Sequence, residues 1–487
     1  MKNELNAKKP ICIEEKIIIT IITFFYCFLE YIYLKKIFKN NISCKNLDPF
    51  TVEKKILNSK PIVLCKSELT EHICFKNNFP FFAYKNGVIC MMKNFFLNFS
   101  NWKKDGYIYD YNGPVNNKTK GQALISYGFF KIQCNIKGKI SNFNPIYNKY
   151  FNSWEYILNS QSKNKIYKAK NLCPGKVLFI LNRNQDSPNL LIGGAGFINA
   201  FSLMHLLRIK PENIQVIFLE SMIINNDPFY NLFKNIISRG GKPLYARKLD
   251  KNIIYHVSKA IYVPINWDSP VFCKTETPNC LKISKTYKIL LESIYKYMKI
   301  PEFFDNSNYD KEIFLYPKSF INSKLNKYKK YMTIQWRKPW PKNRKNQQRI
   351  LGNGEEILEK LDSVLFKKKI LIRLVDTASL SLEEQISIML KTNYLLGIHG
   401  AGMFLSIFLP HKSIAHEIKS KHRKTPNRPQ IAGILSGHKY YSDFVNADIK
   451  NLDFQEKYFV DLDDLEKKVL KILTKNNFLN NNYKMIF

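Results

Sequence analysis

Short apolar runs alternate with longer stretches of helical period through the second half of the chain. From residue 331 onward, YMTIQWR, KKILIRLVD, NYLLGI and SIAHEI read as strands, and GEEILEKLDSVLF, SLEEQISIMLKT and AGMFLSIFL between them read as helices. Strands that are apolar throughout, separated by amphipathic helices, predict a parallel sheet covered on both faces. The same alternation begins earlier. KVLFILNRN reads as a buried strand, GGAGFINAFSLMHLLRI as a glycine-led helix, and IQVIFLE and YHVSKAIYVPI as further strands. The expectation is therefore an α/β chain with two Rossmann-like units, over 61–325 and 326–445. Residues 281–330 form a helical, lysine-rich bridge within it, and 446–487 a C-terminal helical segment. Between about 60 and 170, aromatic segments broken by Asn, Gly and Pro predict irregular β structure.

One apolar run has a different character. IIITIITFFYCFLEYIYL, residues 17–34, is near the lower length for crossing a bilayer, with Glu30, Tyr31 and Tyr33 toward its far end where an interfacial belt would lie. No small-residue cleavage site follows, so an uncleaved transmembrane signal anchor is expected, with 1–16 as a tail and 35–60 as a polar stem. Lysines flank both sides, and charge alone does not orient it.

Charge adds less than its size suggests. The formal net charge of +37 arises from 76 Lys and Arg against 39 Asp and Glu. It is spread along the whole chain amid abundant Asn and Ile, without a basic run interleaved with stacking aromatics, which argues against a nucleic-acid partner. Eight cysteines lie beyond the apolar run: Cys44, Cys65, Cys74, Cys90, Cys134, Cys173, Cys273 and Cys280. An even set suits disulfides in an oxidising compartment, with Cys273 and Cys280 close enough to staple a loop, although spacing does not fix the pairing. No C-x-x-C pair points to zinc. Asn41, Asn98 and Asn117 stand in glycosylation triplets, which an Asn-rich chain also produces by chance.

The candidate chemistry gathers where NYLLGI stops at His399, Gly400, Ala401 and Gly402. Ligands of parallel sheets sit beyond the carboxyl ends of the strands, where free N–H groups of the next helix favour an anion and small residues admit a diphosphate. His399 would donate to a phosphate or sugar oxygen. Glu417, closing the next strand, would accept from ribose hydroxyls. Arg337, at the end of YMTIQWR, and Arg349 would neutralise a departing diphosphate, and Arg337 carries the greater weight. Asn353 is a binding candidate that also suits a helix N-cap. Asp376 ends a strand and would cap or orient a neighbour, while Lys342, Arg344 and Lys345 read as a solvated loop. The D-x-D triplet at 461–463 opens a helix, so its acids read as caps rather than metal ligands, and no metal or other cofactor is required. A hydrolase reading fails for want of a G-x-S-x-G elbow.

The run from IQWR through RILGNGEEILEKL and LSLEEQISIMLKTNYLLGIHGAGMFLSIFLP to IAHEI resembles glycosyltransferase family 61, over about residues 331–420. That resemblance implies a two-domain GT-B fold, with 61–325 on the acceptor side, 326–445 binding a nucleotide sugar and 446–487 packing back on the first unit. It implies an inverting mechanism, a UDP-sugar donor (GlcNAc or xylose), a protein or glycan acceptor, and a type II anchor placing residues 35 onward in the lumen of the ER or Golgi. Upstream the pattern departs from the family: Asn199 and Ser202 stand at roughly the places of a His and an Asp, with His205 slightly later. His205 is taken as the catalytic base beside His399 and Arg337, with Asp186 and Glu220 as alternatives. The altered helix also admits a second reading, a membrane-anchored nucleotide-sugar or glycan-binding protein without catalysis.

Overall fold

The computed structural model describes residues 88–103, 169–181, 190–219, 227–263, 285–298, 330–336, 348–419, 428–444, 447–452 and 455–479, with the short stretches 62–66, 71–76, 108–109, 124–125, 129–132, 158–160, 223–224 and 314–317. All lie within the compact unit Asp48–Phe487. The apolar run 17–34 and the loop bearing Cys273 and Cys280 lie outside the described residues, among which no helix is long and apolar enough to cross a membrane.

The architecture is mixed α/β with two main sheets, each built around parallel strands. The first contains β1 (Ile62–Lys66), β2 (Glu71–Lys76), β3 (Val88–Asn98), β4 (Val177–Leu181), β5 (Ile214–Phe218), β6 (Leu244–Tyr245) and β7 (Ile254–Tyr262), in the order β1-β2-β3-β7-β4-β5-β6. β7, β4, β5 and β6 are parallel, and β3 joins antiparallel to β7 along its whole length. The chain leaves β4 toward β5 and β6, then returns to lay β7 on the other side, so the order reverses between β4 and β7. Helix α1 (Leu190–Leu206) makes the first crossover. Between Gly193 and Met204 it has no polar face because it has no solvent face: Phe197, Ile198, Phe201 and Leu203 are buried, and so are Asn199 and Ser202. Beneath the antiparallel part, Phe99 meets Phe129 and Tyr255 edge-on, with ring centroids 5.3 and 5.7 Å apart.

Two cysteines depart from an all-paired set or bear on it. Cys90 is disulfide-bonded and lies opposite Cys74 in the β2–β3 register. Cys173 is a free buried thiol that burial pushes up to about 11. Asn98 folds its side-chain oxygen onto the amide and hydroxyl of Ser100, 3.3 and 2.7 Å away.

Among the described residues, the expected bridge contains the helix α2 (Lys285–Tyr297) and, after it, the two-residue strand β8 (Phe314–Leu315). The second sheet is built of β9 (Lys330–Trp336), β11 (Ile370–Asp376), β12 (Tyr394–Ile398), β13 (Ile414–Lys419) and β14 (Lys439–Phe444), ordered β8-β11-β9-β12-β13-β14. Every strand from β9 onward in that order is parallel, and only β8 is antiparallel at the edge. The order reverses between β9 and β12. Between the strands lie β10 (Gln348–Leu351), α3 (Gly354–Leu365), α4 (Leu382–Leu390) and α5 (Arg428–Leu435). Ser381 and Glu384 close α4 with a capping box, as SLEE in the sequence invites.

The segment expected as a helix after Gly402 is a 3₁₀ helix, Ala401–Phe408, with Met403 to Phe408 all buried. It touches α1, α4, α5 and the second sheet. A threefold repeat distributes six apolar-rich positions to three sides, which suits a rod enclosed by packing. The C-terminal region also differs from expectation. Strands β15 (Ala447–Leu452) and β16 (Gln455–Val460) form a hairpin that pairs with β10, and α6 (Leu462–Lys475) places Leu465, Val469, Ile472 and Leu473 in the core of the second sheet rather than on the first. Asp461 caps α6 by accepting from the amides of Asp463 and Asp464, both at 3.0 Å, as the reading of D-x-D anticipated.

Helix α5 ends through Gly437, at φ +85°, and delivers His438 into the core. Burial, followed by the neighbouring His411, drives the His438 imidazole down to about 3. The unfolded chain takes up that proton near pH 6.5 and the folded chain does not, so stability is complete above about 6.5 and falls as pH drops toward 3. His438→Leu should lose less thermal stability than the wild type between pH 7.5 and pH 5; an equal loss in both proteins would count against this origin.

Candidate active site

The reversal between β9 and β12 leaves a crevice at their carboxyl ends, the place where open parallel sheets take ligands. His399 follows β12 directly. Its amide continues the ladder to Ile418 O at 2.9 Å, and its carbonyl accepts from Arg349 Nη1 at 2.8 Å. Its ring Nδ1 lies 2.5 Å from Glu417 Oε1. Glu417 is fully buried, and its second oxygen accepts from Ser442 Oγ at 3.3 Å and lies 3.5 Å from Lys419 Nζ. Beside it, burial first and then the Glu417 charge push the Tyr440 phenol well above its usual range.

A carboxylate on Nδ1 fixes the ring and leaves Nε2 for the crevice. The neutral ring presents Nε2 as an acceptor for a hydroxyl proton. The protonated ring, balanced by Glu417, donates to an anion. Glu417 itself is not placed for ribose hydroxyls, because its oxygens are turned inward to His399, Ser442 and Lys419. It is a positioning residue for His399.

The glycines have a different reason from turn strain. Gly400 is nearly extended, with φ 160°. A Cβ on Gly402 would stand 2.4 Å from Gln335 Nε2, and one on Gly397 2.7 Å from Met403 Sδ and 3.1 Å from Gln335 Oε1. Gln335, buried in β9 and donating to Thr377 Oγ1 at 2.9 Å, fills the space beneath the turn. It was not among the sequence candidates. A lone amide near the end of a buried strand was the available signal. Ala401 opens the 3₁₀ helix whose first amides face the same end.

The remaining candidates separate. Arg349 braces the turn through the His399 carbonyl, so at least one of its nitrogens serves the protein. Asn353 is occupied at both ends, donating to Val460 O at 2.8 Å and accepting from Val460 N at 3.0 Å, and makes no side-chain cap. It staples α3 to the C-terminal hairpin and is not placed as a ligand group. Asp376 accepts from Ser379 at 2.7 Å. Arg337 immediately follows Trp336 at the end of β9 but lies outside the described residues, as do Asp186, Glu220, Lys342, Arg344 and Lys345.

His205 does not join the site. The first half of α1 packs on the 401–408 helix, where a Cβ on Gly194 would stand 2.1 Å from Phe404 Cε1. His205 is exposed eleven residues further along, roughly 16 Å away at 1.5 Å per residue. Asn199 and Ser202 are buried in the helix. No group of three His, Cys, Asp or Glu suited to a metal occurs among the described residues.

A family profile described as Glycosyltransferase 61 matches residues 217–415. That segment belongs to glycosyltransferase family 61. No curated protein matches the chain. The protein is accordingly a glycosyltransferase, and the family 61 segment holds Arg337, Arg349, Asn353 and the turn from His399 to Gly402. It starts inside β5, well upstream of the region carrying the recognised motifs. It stops two residues short of Glu417, so the family 61 segment contains the histidine without its carboxylate partner. His205 lies outside it.

Proposed function

We propose that this glycosyltransferase is an inverting enzyme of GT-B type. It moves a sugar, GlcNAc or xylose, from a UDP donor to a hydroxyl on a protein or glycan in the secretory pathway. The observation that carries the reading is the His399–Glu417 pair at the carboxyl end of β12, beside the end of β9 from which Arg337 follows. In the transfer the acceptor oxygen attacks the anomeric carbon while the bond from that carbon to the diphosphate oxygen breaks. UDP departs, configuration inverts, and the hydroxyl proton passes to a base. His399, held by Glu417, and Arg337 take the charge that develops on the diphosphate, without a metal. Residues 17–34 anchor the chain as a type II single span in the ER or Golgi, with the catalytic part lumenal. The disulfide at Cys90 supports an oxidising compartment.

The test is calorimetric titration of the full chain in detergent with UDP, UDP-GlcNAc, UDP-xylose, UDP-glucose and GDP sugars, with and without manganese. Saturable binding of one UDP sugar that is manganese-independent and lost in Arg337→Ala is expected. Absence of binding by folded protein would leave the reading of a protein without catalysis, a reading favoured by the burial of Asn199 and Ser202.

A further inference from the structure

A hollow lies at the amino edge of the first sheet. It has a volume of about 500 Å³ and is lined by Lys176, Arg208, Lys210 and Lys259, with Asn213 and Ser258 among them. Its walls are two turns. Cys173 to Lys176 is closed by Lys176 N to Cys173 O at 3.1 Å, with Gly175 at φ +71°. The other is the end of α1, where Ile209 N reaches Met204 O at 3.0 Å and Arg208 N reaches His205 O at 3.1 Å. This is the paired-bond helix ending that ordinarily places glycine at the left-handed position. Here that position is Arg208, at φ +53°. A long side chain in this conformation carries an avoidable strain, and residues kept in such conformations collect at functional sites. The conformation is what delivers the guanidinium to the hollow.

The charges have little internal use. Lys176 Nζ donates to the Gly240 carbonyl. Glu212, on the same connection, is held by Arg239 at 2.7 Å. Arg208, Lys210 and Lys259 make no ion pair among the described residues. The helix end contributes a negative charge of about half a unit, which four cations exceed. The size suits a small ligand rather than a surface.

We propose that this hollow binds a phosphate monoester of monosaccharide size, with Arg208, Lys210 and Lys259 supplying the charge that meets the phosphate oxygens. It shares no residue with the donor crevice, and it does not depend on the function proposed above. The probe is glucose 6-phosphate, titrated into the full chain in detergent, with glucose, inorganic phosphate and phosphatidylserine vesicles as comparisons. Saturable binding of glucose 6-phosphate, weaker binding of phosphate and none of glucose are expected. Arg208→Gly should weaken the sugar phosphate at least tenfold while thermal stability stays equal or rises, because glycine relieves the strain, and UDP binding should be unchanged. Equal affinity in Arg208→Gly, equal binding of glucose, absence of saturation, or binding to vesicles alone would each overturn the proposal.

Discussion

His399→Ala should lower sugar transfer by about 10²–10³-fold, the usual loss for removing one group that stabilises developing charge. The fold should persist. The histidine is tied into the sheet by its amide to Ile418 and its carbonyl to Arg349, and neither bond uses the ring. Losing the ring leaves Glu417 buried but still beside Lys419 and Ser442, so its charge keeps partners. Thermal unfolding and turnover measured on the same preparation separate the two effects. Glu417→Gln extends the argument: it keeps the shape, removes the charge behind Nδ1, and should reduce turnover more than donor affinity. Wild-type turnover in His399→Ala would remove His399 from the chemistry.

Gly194→Ala should be among the most destabilising single-methyl changes in the chain, at about 3 kcal/mol, the upper end for overpacking a core. The added carbon would sit 2.1 Å from Cε1 and 2.7 Å from Cζ of Phe404. Phe404 is itself buried in the 401–408 helix and cannot swing into solvent. Relief therefore requires α1 and that helix to move apart, which displaces the turn at His399 as well. Combining Gly194→Ala with Phe404→Leu should recover part of the loss, so the pair would be strongly non-additive. A denaturant midpoint for Gly194→Ala equal to the wild type would show that the contact yields without cost.

The second sheet was legible almost strand by strand because both of its faces are covered. Burial on both faces turns each strand into an unbroken apolar word, bounded by the caps and glycines of the helices between. The aromatic stretch from 60 to 170 was not legible in that way. Its long strand β3 pairs antiparallel to β7, more than 150 residues later, and nothing local announces such a partner. The pairing around His399 was misread in detail. Glu417 stands opposite Gly397 in the β12–β13 register, one pleat below His399, and a strand-end carboxylate looks the same in sequence whether it faces ligand or lies under a histidine. Gly402 was found, but its reason is the amide of Gln335 on another strand. His205 was chosen by nearness to a glycine-led motif, although the rise of a helix carries it to the far end.

The boundary of the family 61 match has a practical meaning for anyone dividing this gene. An expression fragment trimmed to residues 217–415 would keep the histidine and discard Glu417, Ser442 and the Val460 backbone that holds Asn353. It would also strip β12 of most of β13, turning an interior strand into a raw edge open to pairing with other copies. The stretch that the family profile recognises is thus shorter than the stretch that can stand alone as a solid.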